Sequence, residues 1–282
     1  MDPDFFPISS ADLVPRHYLH GFCIQEEDFI IGNEGYARSC AAQNIHIQPG
    51  QDGSYIIIRT AGDETVIGTD FSGSHKLFLY QLGEKWALSN SFIELVRFAA
   101  KKYLPVTVDE SHLASVFING PFGDPLTCLR TSIREIRLVP SIMEAVIIQT
   151  FYGTAVKLRP LSSASKPVEN KSYEERLRGY LRLWVGRMAT VLQSDLHMRA
   201  DLTGGRDSRA VLSLMLAAAK YLGNDLMQRV NFASNRDAKA DFAVASQIAE
   251  KCRLHFMDRS VDPRAPVRLN SAEATRNGSL SA

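Results

Sequence analysis

The residues best suited to chemistry lie in one run, Asp201-Leu202-Thr203-Gly204-Gly205-Arg206-Asp207-Ser208-Arg209. Two adjacent glycines let the backbone turn tightly and approach an anion with no Cβ in the way. Thr203 and Ser208 bring hydroxyl donors. Arg206 and Arg209 bring cations that neutralise phosphate charge, and Asp207 brings a carboxylate suited to a magnesium ion bridging phosphates. Strand-like alternation, His197 to Leu202, precedes the run, and helical spacing, Ser208 to Tyr221, follows it. The following helix would therefore aim its free N–H groups and positive dipole end at the loop. Each part suits a phosphate or pyrophosphate. The run is neither G-x-x-x-x-G-K-[ST] nor G-x-G-x-x-G, which sets aside a Walker A loop and disfavours a dinucleotide fingerprint. The bland alternative is a glycine-containing βα turn capped by Asp or Ser.

Such a loop needs a strand before it and a helix after it, and the neighbouring sequence repeats that order. Arg229 to Ala233 reads as a strand, Asp241 to Lys251 as a helix and Leu254 to Met257 as a strand. The β-α-β-α-β order predicts a parallel sheet with right-handed crossovers. Upstream, Ser172-x-x-Glu175 is a capping box. Tyr173, Leu177, Tyr180, Leu181, Trp184, Met188 and Val191 then mark one apolar helix face. Arg176, Arg178, Arg182 and Arg187 fall mostly outside it, as on a solvated face.

Residues before about 155 read differently. Phe29–Ile31, Ile45–Ile47, Tyr55–Arg59 and Thr65–Ile67 are short strand-like runs, with turns at Gly32-Asn33, Pro49-Gly50 and Asp52-Gly53. Lys76–Tyr80 and Lys85–Ser89 suggest a hairpin. Helices are expected over Asn90–Lys102 and over Asp109–Ile118, the latter capped by Asp109. Strand pattern returns at Ile133–Leu138 and Ala145–Phe151. Leu161–Lys171, rich in small polar residues, reads as an interdomain linker. The expected organisation is an α+β domain over residues 1–160 and an α/β parallel-sheet domain over residues 172–282.

Composition narrows the classes. The chain has 282 residues, 45% hydrophobic, with 32 Lys+Arg against 31 Asp+Glu. A net charge of +1 gives no overall pull toward nucleic acid or anionic membrane. Cys23, Cys40, Cys128 and Cys252 form no C-x-x-C pair, so neither a disulfide framework nor a structural zinc site is expected. No signal peptide or membrane-spanning stretch is apparent, and a cytoplasmic location is expected. His17 and His20 could be taken for a metal pair, but no third ligand cluster accompanies them.

The loop resembles the pyrophosphate loop S-G-G-x-D-S of the N-type ATP pyrophosphatases, most closely that of the asparagine synthetase family, with Thr203 in place of Ser. Asp237 to Cys252 is similar to that family's next helix, which typically reads D-x-x-x-A-x-x-x-A, and Leu254-His255-Phe256 to the strand after it. Upstream, Gly68–Tyr80 resembles its G-x-D-x-x-G-x-x-P-L-Y-Y hairpin, Trp86–Leu95 its F-A-S-E-x-K-A-L segment, and Thr131–Pro140 its T-x-x-x-x-I-x-x-L-x-P-G strand. The likeness spans roughly residues 55–260, and its specific part is the loop.

This resemblance implies a glutaminase-like, N-terminal-nucleophile-like antiparallel sandwich followed by an incomplete ATP pyrophosphatase domain. It implies ATP and Mg2+ as cofactors. Thr203, Gly204, Gly205, Arg206, Asp207, Ser208 and Arg209 would hold the phosphates, and Asp207 the metal. Leu202, Asn231, Phe232 and Ala233 would lie on the adenine side. The implied reaction is amide formation: a carboxylate attacks the ATP α-phosphate, pyrophosphate leaves, and ammonia or an amine displaces AMP. Partners would be small-molecule or peptide carboxylates and amines, with either a homo-oligomer or a second chain supplying the missing C-terminal part.

Two departures shape the expectation. Asp2 stands where glutamine-dependent members carry a nucleophilic cysteine, and Cys23 could serve only after removal of the residues before it. No glutaminase activity is therefore expected, and relatives that use free ammonia or an internal amine, such as β-lactam synthetases and lasso-peptide cyclases, remain equally compatible. The family's later acidic residues and catalytic lysine have no visible counterpart. The alternative is a catalytically dead nucleotide-binding or scaffolding homologue. A tRNA-modifying pyrophosphatase-loop enzyme ranks last, since neither paired cysteines nor a basic surface is present.

Overall fold

A computed structural model describes residues 7–9, 17–25, 28–43, 47–119, 128–151, 153–161, 170–194, 196–223 and 229–259. It is a mixed α/β structure in two compact units, one made of residues 1–25 and 30–167, the other chiefly of residues 168–267. Most of the expected linker, residues 162–169, lies outside the described residues.

The first unit contains β1 (Pro7–Ser9), β2 (His17–Gln25), β3 (Asp28–Ile31), α1 (Gly32–Gln43), β4 (Gly53–Ala61), β5 (Glu64–Thr69), β6 (Leu77–Leu82) and β7 (Lys85–Ser89). There follow α2 (Phe92–Lys101), α3 (Glu110–Asn119), β8 (Ile136–Val139), β9 (Met143–Thr150) and β10 (Gly153–Pro160). They form two sheets, ordered β1-β7-β6-β8 and β10-β9-β5-β4-β2-β3. Neighbouring strands from β1 to β8 in the first sheet, and from β10 to β2 in the second, run antiparallel.

Strand alternation builds the layers. On β4, Ile56 and Ile58 face a core shared with Leu77 and Leu79 of β6 and Trp86 and Leu88 of β7. The intervening Tyr55 and Ile57 face the other way, onto Leu19 and Cys23 of β2 and Tyr36 of α1. On the smaller sheet, Tyr80 and Ala87 turn away from the shared core and pack on Leu95 and Ala99 of α2. Successive side chains of a strand point to opposite faces, so three separate cores imply four layers: α1, six strands, four strands, α2. Ser91 starts α2 by accepting a hydrogen bond from the Glu94 N–H at 3.3 Å.

The second unit runs α4 (Tyr173–Gln193), β11 (Met198–Asp201), α5 (Arg206–Leu222), β12 (Val230–Ser234), α6 (Lys239–Cys252) and β13 (Phe256–Asp258). Its three strands are parallel, in the order β11-β12-β13, with Ala200 opposite Phe232 and Phe232 opposite Phe256. The core joins Leu202, Phe232 and Val230 to Leu212, Met215 and Ala219 of α5 and to Ala245 and Ala249 of α6. Helix α5 ends at Gly223, whose φ of 67° is the left-handed turn that glycine adopts without strain.

Three expectations change. Gly32-Asn33 is not a turn but the start of α1, a helix with no clear apolar periodicity in its sequence; Tyr36 and Cys40 reach the core. Ile47 lies in irregular chain rather than a strand, and Ile45 and His46 are outside the described residues. On α4, Tyr173, Leu177, Tyr180 and Leu181 are exposed, while Ala189, Thr190 and Leu192 are buried. The helix packs on α5, and its later turns, through Val185, Met188, Ala189 and Leu192, are the part that joins the core.

Candidate functional site

The glycine run connects β11 to α5, at the carboxyl edge of the parallel sheet, which is where ligands bind open α/β sheets. The loop is folded on its own hydroxyls. The Thr203 N–H donates to Ser208 Oγ at 3.1 Å, and the Gly205 N–H donates to Thr203 Oγ1 at 3.1 Å. Ser208 Oγ also reaches the Thr203 and Gly205 carbonyls. Arg209 Nε donates to the Gly205 carbonyl at 3.2 Å, so its guanidinium is held beside the helix start.

Helix α5 begins after Gly205, whose extended backbone (φ −67°, ψ 158°) starts it with no side-chain cap. Helix α6 begins after Ala238, also without a side-chain cap. By contrast, Ser91 caps α2, Asp109 caps α3 through the His112 N–H at 3.1 Å, and Ser172 caps α4 with the complete capping box. The two helices that start on the carboxyl edge of the parallel sheet therefore keep first-turn N–H groups that no cap takes up.

Charge lines the same edge. Arg259, just past β13, donates from Nη1 to both carboxylate oxygens of Asp201, at 2.6 and 2.7 Å. Arg236, just past β12, pairs with Asp258 at 2.9 Å. Asp241, in the first turn of α6, lies against the loop: a Cβ added to Gly204 would sit 2.6 Å from its Oδ1. The same addition at Gly205 would meet only Thr203 Oγ1, at 3.1 Å. Gly204 is thus the position where the missing side chain matters most, because it lets the α6 carboxylate approach the loop.

The candidate residues fall into two groups. Gly205, Arg206, Asp207 and Arg209 are exposed, and Thr203, Gly204 and Ser208 half-buried, so the loop presents itself to solvent. Leu202, Phe232 and Ala233 are instead buried, with Leu202 and Phe232 in the core. Their side chains are closed to a ligand, which leaves half-buried Asn231 as the adenine-side candidate with any exposure. Asp241, Asp201 and Arg259 are not among the phosphate, adenine or metal candidates of the sequence, yet they stand at this edge. Asp241 carries a signal in the sequence, as the first residue of the D-x-x-x-A pattern; the Asp201–Arg259 pair, 58 positions apart, carries none.

Asp207 stands exposed in the first turn of α5. Among the described residues no three His, Cys, Asp or Glu side chains come together as a metal site. Magnesium held by one or two carboxylates plus phosphate oxygens needs no such cluster. His17 and His20, three apart on β2, point to opposite faces: His17 packs edge-on to Tyr36, and His20 edge-on to His75. They cannot share one ion. Cys23 is fully buried under α1, and burial, with Asp52 and Asp70 nearby, pushes its thiol up to about 12. It cannot act as a nucleophile in this fold. Cavities of about 540 and 300 Å³ lie in the first unit.

No protein-family model matches this chain, and no curated protein matches it in sequence.

Proposed function

We propose that the second unit binds the phosphates of ATP with Mg2+ on the loop Thr203–Arg209, and that the chain acts as an asparagine synthetase-like, ATP-dependent amide-forming ligase. One observation carries this reading: α5 and α6 start without side-chain caps beside a glycine turn at the carboxyl edge of a parallel sheet. Uncapped N–H groups and the positive helix ends favour an anion there. Thr203 and Ser208 would exchange their mutual hydrogen bond, 3.0 Å long, for phosphate oxygens. Arg206 and Arg209 would balance charge. Asp207, with Asp241 close to the same loop, would hold magnesium, which supplies electrostatic stabilisation of the departing pyrophosphate. The antiparallel two-sheet sandwich of the first unit supports the glutaminase-like part of the reading, without a glutaminase reaction.

Titration calorimetry of the full chain with MgATP and with magnesium pyrophosphate tests it. Binding is expected in the wild type and lost in Gly204→Val and Asp207→Ala, with thermal melts of the Asp207 variant unchanged. Equal affinity in all three proteins would overturn the phosphate-loop reading and favour a scaffolding role.

A further inference from the structure

Cys128 differs from the other cysteines in its surroundings. Cys23 is buried, Cys40 packs on the core under α1, and Cys252 packs on the core of the second unit. Cys128 is half-buried and lines the cavity of about 300 Å³, together with Ser72, His75, Lys76 and Ser141. Its Sγ lies 3.9 Å from Nδ1 of His112. His112 is 8% exposed and does not line the cavity, so the thiol stands between the imidazole and the open space.

The first turn of α3 fixes the backbone of His112: its main-chain N–H donates to Asp109 Oδ1, and Arg130 donates to Asp109 Oδ2 from Nε at 3.1 Å and Nη2 at 2.5 Å. The Asp109 charge is therefore matched by Arg130. On the cavity side the titratable neighbours are His75 and Lys76, with Lys76 Nζ on the Gly73 carbonyl at 3.1 Å.

We propose that Cys128 and His112 form a thiol–imidazole pair that makes this cavity a site of covalent modification by small polar electrophiles, hydroperoxides being the smallest of that class. Neutral His112 with its proton on Nε2 presents Nδ1 as an acceptor. It takes the S–H proton as the sulfur attacks. With hydrogen peroxide, the S–O bond forms as the O–O bond breaks. The leaving hydroxide takes the proton back from the imidazolium and departs as water. Sulfur is oxidised to the sulfenic acid and the peroxide is reduced.

The test treats the full chain with limiting hydrogen peroxide plus dimedone, and separately with iodoacetamide, and reads each cysteine by peptide mass spectrometry. Cys128 is expected to react at least roughly tenfold faster than Cys40 and Cys252, and His112→Gln is expected to slow it by on the order of tenfold. Cys128→Ser abolishes the fast label. Reaction of Cys128 no faster than Cys40 and Cys252 would overturn the proposal. So would an unchanged rate in a folded His112→Gln protein. If that variant does not fold, the wild-type comparison of Cys128 with Cys40 and Cys252 decides alone.

Discussion

Asp109 shows how much one carboxylate can organise. It caps α3, takes the Ser111 hydroxyl at 2.8 Å and accepts two bonds from Arg130. The Arg130 guanidinium first, then Ser111 and the His112 N–H, hold its carboxyl well below the usual carboxylate range. A group depressed in the folded state stabilises above its unfolded value, near 3.9, and loses that contribution as pH falls toward its folded value. Asp109→Asn keeps a capping side chain but not the ion pair. The difference in Tm between wild type and Asp109→Asn is expected to be full at neutral pH and to shrink progressively below about pH 4; a constant difference across that range would refute the role. At the glycine loop, Gly204→Ala is expected to cost about 1–3 kcal/mol by crowding Asp241, and Gly205→Ala distinctly less. Urea unfolding of Gly204→Ala in the Asp241→Ala background should recover most of the loss, because the clash is with that side chain.

At the scale of elements, caps divide the helices by role. Helix α4 is capped at Ser172 and its first turns are exposed, so local signals rather than packing start it. Ser172→Ala should therefore speed amide hydrogen exchange over residues 173–178 by roughly fivefold, the factor of a lost N-cap. Exchange in the buried last turns around Ala189 and Leu192 should be unchanged. Equal acceleration along the whole helix would show that packing already governs its start. Helices α5 and α6 have no such cap, and their stability rests on the faces they bury: Leu212, Met215 and Ala219 on one, Ala245 and Ala249 on the other. That division leaves the helix starts at the sheet edge available for a ligand.

At the scale of the whole molecule, β4 lies in the middle of four layers, and both its faces are buried. Ile56 and Ile57 are each 0% exposed yet belong to different cores. Ile56→Ala and Ile57→Ala are each expected to cost about 2–5 kcal/mol, read by urea unfolding through Trp86, which is buried in the same unit. A near-neutral result for Ile57→Ala would show that α1 does not cover the sheet as a layer. The sequence by itself determined the elements whose signals are local. These are the capping box of α4, the Gly223 stop of α5, the hairpin that turns within residues 81–84, and the strand–glycine–helix order of the candidate loop. Each is decided within a few residues, by side-chain hydrogen bonds or by a backbone angle that glycine alone adopts easily. Tertiary structure decided what depends on distant neighbours. It turned Gly32-Asn33 into the start of a helix, because Tyr36 finds a core with β2 and β4. It left the apolar stripe at the start of α4 exposed, because the helix meets α5 and the core through its later turns. It sent Phe232 into the core while bringing Asp241 against Gly204 and Arg259 onto Asp201. Burial and long-range pairing depend on where other segments of the chain arrive, and no spacing within one segment encodes that.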